Sequence, residues 1–118
     1  MENHKLVLPQ HMNQYGFLFG GNLLKWTDEY AWIAASQDYP GCNFVTIGLD
    51  KVEFKRSVRK GTILKFIAQK TRTGNTSVQY RMKVFRGNSL DEENDLIFST
   101  NVTYVRVDEE GRKIPLPK

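Results

Sequence analysis

The chain of 118 residues has little of what most catalytic chemistry requires. It holds one cysteine, Cys42, and two histidines, His4 and His11. One cysteine forms no internal disulfide, and these three residues make no zinc site. A reducing, cytoplasmic address is therefore expected. There is no G-x-x-x-x-G-K-[ST] phosphate loop, no G-x-S-x-G nucleophile elbow and no H-E-x-x-H. Redox, kinase, serine-hydrolase and metalloprotease readings have nothing to stand on, and no metal or separate cofactor is expected. No apolar run approaches the roughly 20 residues that span a bilayer. The mean hydropathy is −0.49, so no membrane association is expected. Met1 to Lys5 carries Glu2 and does not read as a secretory signal.

What is present suits one globular domain, residues 1–118, with 40% hydrophobic and 25% charged residues. The formal net charge is +4, unevenly spread. Residues 51–72 hold eight basic residues against Glu53 alone, a local net charge of +7. Asp91, Glu92, Glu93 and Asp95 form an acidic patch. A localised basic surface suits a polyanion: nucleic acid, an anionic membrane or a phosphorylated group such as coenzyme A. On charge alone a solvated strand edge guarded by lysines is the simpler reading. Nucleic acid is disfavoured, because exposed aromatics do not interleave with the basic residues.

The hydrophobic period changes once along the chain. His4 to Leu8 reads as a short strand ended by Pro9, and residues 9–19 as a polar loop. From Gly20-Gly21-Asn22 a helix is predicted, with Leu23, Leu24, Thr27, Ala31, Ala34 and Ala35 on its buried face. Tyr39-Pro40-Gly41 ends it. Val45, Ile47 and Leu49 then alternate one residue out of phase with Val52 and Phe54, which predicts a bulge near Asp50-Lys51. Strands follow over 62–70, around Val78 to Val84, and over 96–107, with turns at 59–61 and 74–75 and a loop at 87–94. Strands joined by short turns are expected to pair antiparallel. The result is an α+β domain, one helix on an antiparallel sheet, whose edges suit pairing with a second copy.

Candidate chemistry concentrates in residues 9–29. A Gly-Gly pair at a helix start leaves backbone N–H groups open to a ligand, and the helix dipole adds partial positive charge. Such a terminus binds a phosphate or holds the oxyanion of a polarised carbonyl. It equally serves tight helix packing. His11 and Asn13, two apart, point to one side of an extended segment and suit a base and a positioner for water. On composition alone a turn histidine and an Asx turn are the simpler reading of the pair. Asp28 and Glu29 lie two turns into the helix. Trp26, Tyr30 and Trp32 read as packing residues. Residues 72–77 form a small polar turn beside the basic cluster.

Together these residues resemble the hot-dog-fold acyl-CoA thioesterases, in the YciA-like and brown-fat-inducible-thioesterase branch. The resemblance spans nearly the whole chain. It rests on Pro9, Asn13, Gly16 and Phe19-Gly20-Gly21 at their spacings, on Leu24 to Ala31 with Asp28-Glu29, and on Val45-Thr46 and Val52-x-Phe54. Val58-x-x-Gly61, Gly74-x-Thr76-Ser77-Val78 and the ending from Thr103-Tyr104-Val105 to Pro115 complete it. It implies a long helix wrapped by an antiparallel sheet, and hydrolysis of an acyl-CoA to free acid and coenzyme A. It implies a homodimer at least, extended to a tetramer or a hexameric trimer of dimers, with active sites at the dimer interface.

Carried onto this chain, the resemblance has Gly20 and Gly21 hold the thioester oxygen, with Asn13 beside the attacked carbonyl or its water and Asp28 nearby from either subunit. Arg56, Arg72, Gly74, Asn75, Thr76 and Ser77 meet the coenzyme A moiety. Phe17, Phe19, Trp26 and Trp32 are candidates to line an acyl tunnel. His11 stands where YciA-like members usually carry an aspartate thought to be the base, so His11 and Asp28 are both candidates for that role. Ser57 stands where the family often has proline. A non-catalytic acyl-CoA-binding module is the alternative.

Overall fold

The computed structural model describes residues 1–87 and 94–117. The acidic residues Asp91 to Glu93, and the loop expected around them, lie outside the described residues. The elements run β1 (Glu2–Leu6), a short 3-10 turn (Pro9–His11), α1 (Gly20–Asp38), β2 (Asn43–Phe54), β3 (Ile63–Thr73), β4 (Ser77–Arg86) and β5 (Leu96–Val107). The strands form one antiparallel sheet in the order β1-β3-β4-β5-β2.

Helix α1 starts and stops where its glycines and the Tyr39-Pro40-Gly41 turn place it. Leu23, Thr27, Ala31, Ala34 and Ala35 are buried as expected. Leu24 is only half-buried, and Trp26 takes a core position instead. The alanines let the helix sit close against Ala68, Tyr80, Met82, Val102 and Tyr104 of the sheet. Thr27 Oγ1, buried on this face, donates to the Leu23 carbonyl at 2.7 Å, so its burial leaves no unpaired donor at that position.

Two expectations are corrected. Strand β1 lies two residues earlier than predicted, because Glu2 to Leu6 pair with Ile67 to Ile63. Strands β2 and β3 do not form a hairpin. Residues 55–62 cross beneath the helix start, with Val58 buried and its carbonyl accepting the Leu18 N–H at 2.7 Å. This delivers β3 to the far side of the sheet, and β2 pairs with β5 instead. Strand β2 is a sheet edge on which Val45, Ile47, Val52 and Phe54 are all exposed, while Leu49 packs against the core. The predicted bulge is present. Register shifts between Asp50 and Glu53, where Lys51 adopts φ 51°. A second shift, between Thr46 and Gly48, has no counterpart in the apolar pattern.

Candidate active site

The loop before α1 is tied down by its own polar side chains. Asn13 Oδ1 accepts the N–H groups of Tyr15 at 2.9 Å and Phe17 at 3.1 Å. Two backbone donors fix which end of the amide is oxygen. Nδ2 therefore remains as a donor with no acceptor among the described residues. Asn22 is not a cap; its Nδ2 donates to the His11 carbonyl at 3.0 Å and straps the loop to the helix start.

Phe19 is the N-cap residue and offers no side-chain acceptor. Its carbonyl takes the N–H groups of Asn22 and Leu23. The N–H groups of Gly20 and Gly21 have no acceptor among the described residues, so the positive end of the helix is open. The fold does not demand either glycine for its backbone angles, since neither has positive φ. A Cβ on Gly20 would stand 3.4 Å from the Phe54 ring, an ordinary contact.

Gly20 and Asn13 line one cavity of about 330 Å³, with Leu18, Phe54 and Arg56 in its wall. Arg56 is exposed. The structure thus brings Asn13, Gly20 and Arg56 together in a single chain. His11 does not line this cavity. Its Nδ1 accepts the Leu8 N–H at 3.0 Å, and its ring meets Trp26 edge-on at 4.8 Å. With Nδ1 an acceptor, neutral imidazole carries its proton on Nε2, and the proton-accepting nitrogen is already engaged.

Asp28 sits elsewhere. Eight residues along the helix is about 12 Å of rise. Its Oδ1 accepts Thr46 Oγ1 and the Tyr104 hydroxyl, both at 2.8 Å, and the same hydroxyl lies 2.7 Å from the Asp28 main-chain oxygen. Burial first, then the bond to Asp28 and its charge, push the Tyr104 hydroxyl pKa well above the usual tyrosine range. Asp28, Thr46, Glu29, Trp32 and Ile33 line a second cavity of about 360 Å³ that shares no residue with the first. Trp32, expected to be a packing residue, is 45% exposed at its mouth.

Arg72 and residues 74–77 lie at the opposite end of the sheet from Gly20, beside the C-terminal end of α1. There Tyr80 bonds the last helical residue, Asp38. Helix α1, at 19 residues, separates the two ends by about 28 Å. Gly74 serves the turn itself: its N–H donates to the Ser77 carbonyl, and a Cβ there would stand 2.7 Å from Ser77 Oγ. The Asn75 carbonyl accepts the N–H of Leu116, and that of Thr76 accepts the N–H of Arg106. Thr46 and Tyr104 are the polar partners of Asp28 that sequence reasoning did not single out for a role. Only the alternation of β2 and β5 hints at them.

Comparison with known proteins gives this geometry its context. A family model described as the thioesterase superfamily matches residues 15–92. The human cytosolic acyl coenzyme A thioester hydrolase is 30% identical over 115 residues, covering 96% of this chain. The chain spans only 30% of that enzyme's length. A hexameric hotdog fold thioesterase of Campylobacter jejuni superposes with TM-score 0.83 at 32% identity, covering 98% of this chain and 88% of its own. An acyl-CoA hydrolase from Staphylococcus aureus, solved with butyryl coenzyme A and coenzyme A, superposes with TM-score 0.87 at 28% identity, covering 99% of this chain and 71% of its own. The sheet order, the single long helix and these matches agree: the chain has the hot-dog fold and belongs to the thioesterase superfamily.

Proposed function

We propose that the protein hydrolyses acyl-CoA thioesters to free acid and coenzyme A, at sites built between two copies of the chain. The observation that carries this reading is the open, glycine-rich start of α1 facing the Asn13 cavity in a chain of this superfamily. The N–H of Gly20, which lines the cavity, and that of Gly21 next to it stand ready to bind a thioester oxygen, and they bind it more tightly as it gains negative charge. Asn13 Nδ2 adds a donor on the same cavity. The Asp28 carboxylate takes a proton from the attacking water. As the C–S bond breaks, that proton passes to the departing thiolate, and the acyl group leaves as the acid.

Asp28 is a better base than His11 on geometry, because Asp28 Oδ2 accepts no hydrogen bond among the described residues and His11 Nδ1 is taken. The Staphylococcus aureus hydrolase supports the choice. It has been solved as alanine variants of an asparagine, an aspartate and a threonine, the first two fifteen residues apart, as are Asn13 and Asp28. Thr46, bonded to Asp28 and eighteen residues on from it against seventeen in that hydrolase, is the threonine candidate.

One chain keeps Asn13 and Asp28 in separate cavities, and pairing through the exposed β2 edge resolves this. Gly20 lies against Phe54 at one end of β2, and Asp28 bonds Thr46 near the other. Antiparallel pairing of β2 with its copy sets the Phe54 end of one protomer against the Thr46 end of its partner. The same pairing carries the partner's Arg72 and 74–77 turn to the side of Gly20 and Arg56, where the phosphates of coenzyme A need cations. It also covers Val45, Ile47 and Trp32. The chain is thus a homodimer at least, and a hexamer by likeness to the Campylobacter jejuni protein. A cytoplasmic site of action fits the human relative, which is named cytosolic. Among the described residues no helix is long and apolar enough to cross a membrane.

The test is thiol release from a panel of acyl-CoAs, acetyl to palmitoyl, with a thiol-reactive dye. Turnover at ~1 s⁻¹ or faster on some chain length is expected. Saturable coenzyme A binding without release would replace hydrolysis by the binding-module reading. Neither binding nor release would overturn both.

A further inference from the structure

We propose that Tyr104 is the positioning residue for Asp28: its hydroxyl fixes Oδ1 so that Oδ2 alone is presented to the reacting water. The proposal rests on the reading of Asp28 as the base. Tyr104 is fully buried on β5, in the cluster of side chains beneath the alanine face of α1. Its ring meets that of Phe44 edge-on, with centroids 6.4 Å apart. A phenylalanine would fill that place equally well, so packing alone does not call for the hydroxyl.

Nor does the helix call for it. The Asp28 carbonyl sits mid-helix, where the N–H four residues on already serves it. The hydroxyl nevertheless stands 2.7 Å from that carbonyl and 2.8 Å from Oδ1 of the same residue. The single hydroxyl proton is shared between these two oxygens of one residue, so the carboxylate and the helix backbone are held to the same point. Thr46 Oγ1 closes the same oxygen from β2 at 2.8 Å. Two donors on Oδ1 and none on Oδ2 among the described residues leave one oxygen free, pinned from 76 residues away in the sequence. Burial keeps the Tyr104 hydroxyl protonated, so it remains a donor throughout the neutral range.

The test compares kcat and KM for a preferred acyl-CoA in the wild type, Tyr104→Phe, Asp28→Asn and the double variant. Tyr104→Phe is expected to lower kcat at least about tenfold with KM changed less than about twofold, because positioning acts on the transition state more than on binding. In the Asp28→Asn background it is expected to have no further effect. Wild-type kcat in Tyr104→Phe, with Asp28→Asn inactive, would overturn the positioning role and leave Asp28 as the base. Wild-type kcat in Asp28→Asn would overturn the Asp28 reading itself. If Tyr104→Phe does not fold, Asp28→Glu gives the same decision, since it keeps the charge and moves the carboxylate one methylene away from the hydroxyl. Its kcat is expected to fall by a similar factor, and full kcat in Asp28→Glu would overturn the proposal.

Discussion

The ring of Phe54 stands 3.4 Å from the position of a Cβ on Gly20, so the end of the edge strand and the start of the helix share one wall of the Asn13 cavity. That contact is close but not prohibitive. Gly20→Ala is therefore expected to fold, and to be as stable as the wild type or up to about 1 kcal/mol more stable, since alanine is the better helix former. Its methyl group would occupy the approach to the open N–H groups, and kcat/KM is expected to fall at least about tenfold. Melting temperature and thiol release on the same preparation check both halves. Unchanged activity would remove the helix start from the site.

His11 offers a clean separation of roles. Asparagine places an oxygen near the position of Nδ1 and still accepts the Leu8 N–H. His11→Asn is expected to keep kcat/KM within about threefold, whereas His11→Ala leaves that N–H unpaired and is expected to cost about 1 kcal/mol of stability. A folded His11→Asn protein without turnover would make His11 the base after all.

Two buried tyrosines set a stability limit at high pH. Burial first, then the bond to Asp38 and its charge, push the Tyr80 hydroxyl pKa well above that of an unfolded tyrosine, and Tyr104 is shifted the same way beside Asp28. Below pH about 10 both folded and unfolded states hold these protons, and the stabilisation is fully present. Above it the unfolded chain ionises first, and stability falls with rising pH by at most about 1.4 kcal/mol per unit for each tyrosine. Tyr80→Phe is expected to be less stable than the wild type at pH 8 by about 1 kcal/mol, with the gap narrowing above pH 10. Urea midpoints from pH 8 to 11.5 measure it; a constant gap would contradict the shift.

Much of the fold follows from local pattern. Strand β5 runs over the stretch its Thr, Val and Tyr content marks, and the change of phase around Asp50-Lys51 is the observed bulge. Pattern fails where the competing choice is made far away. Nothing local tells β2 to pair with β5 rather than β3; the crossing at 55–62 decides it. The same holds for the site. Asn13, Gly20 and Arg56 sit near one helix end, and sequence reasoning picked out all three. Thr46 and Tyr104 reach Asp28 across 18 and 76 residues. His11 Nδ1 is committed to a backbone N–H, which composition does not reveal.

The composite site is tested most directly by complementation. Asn13→Asp keeps an oxygen for the Tyr15 and Phe17 N–H groups and removes the Nδ2 donor, while Asp28→Asn removes the base. Each variant alone is expected to lose at least about a hundredfold in kcat. The two are then co-expressed with different tags, and the hybrid is purified through both. In a hybrid dimer one of the two sites receives an intact Asn13 from one protomer and an intact Asp28 from its partner. Thiol release well above that of either variant alone, up to about half of wild type per dimer, is expected. A hybrid as inactive as its parents, beside an active wild type, would show that Asn13 and Asp28 do not meet across the β2 edge.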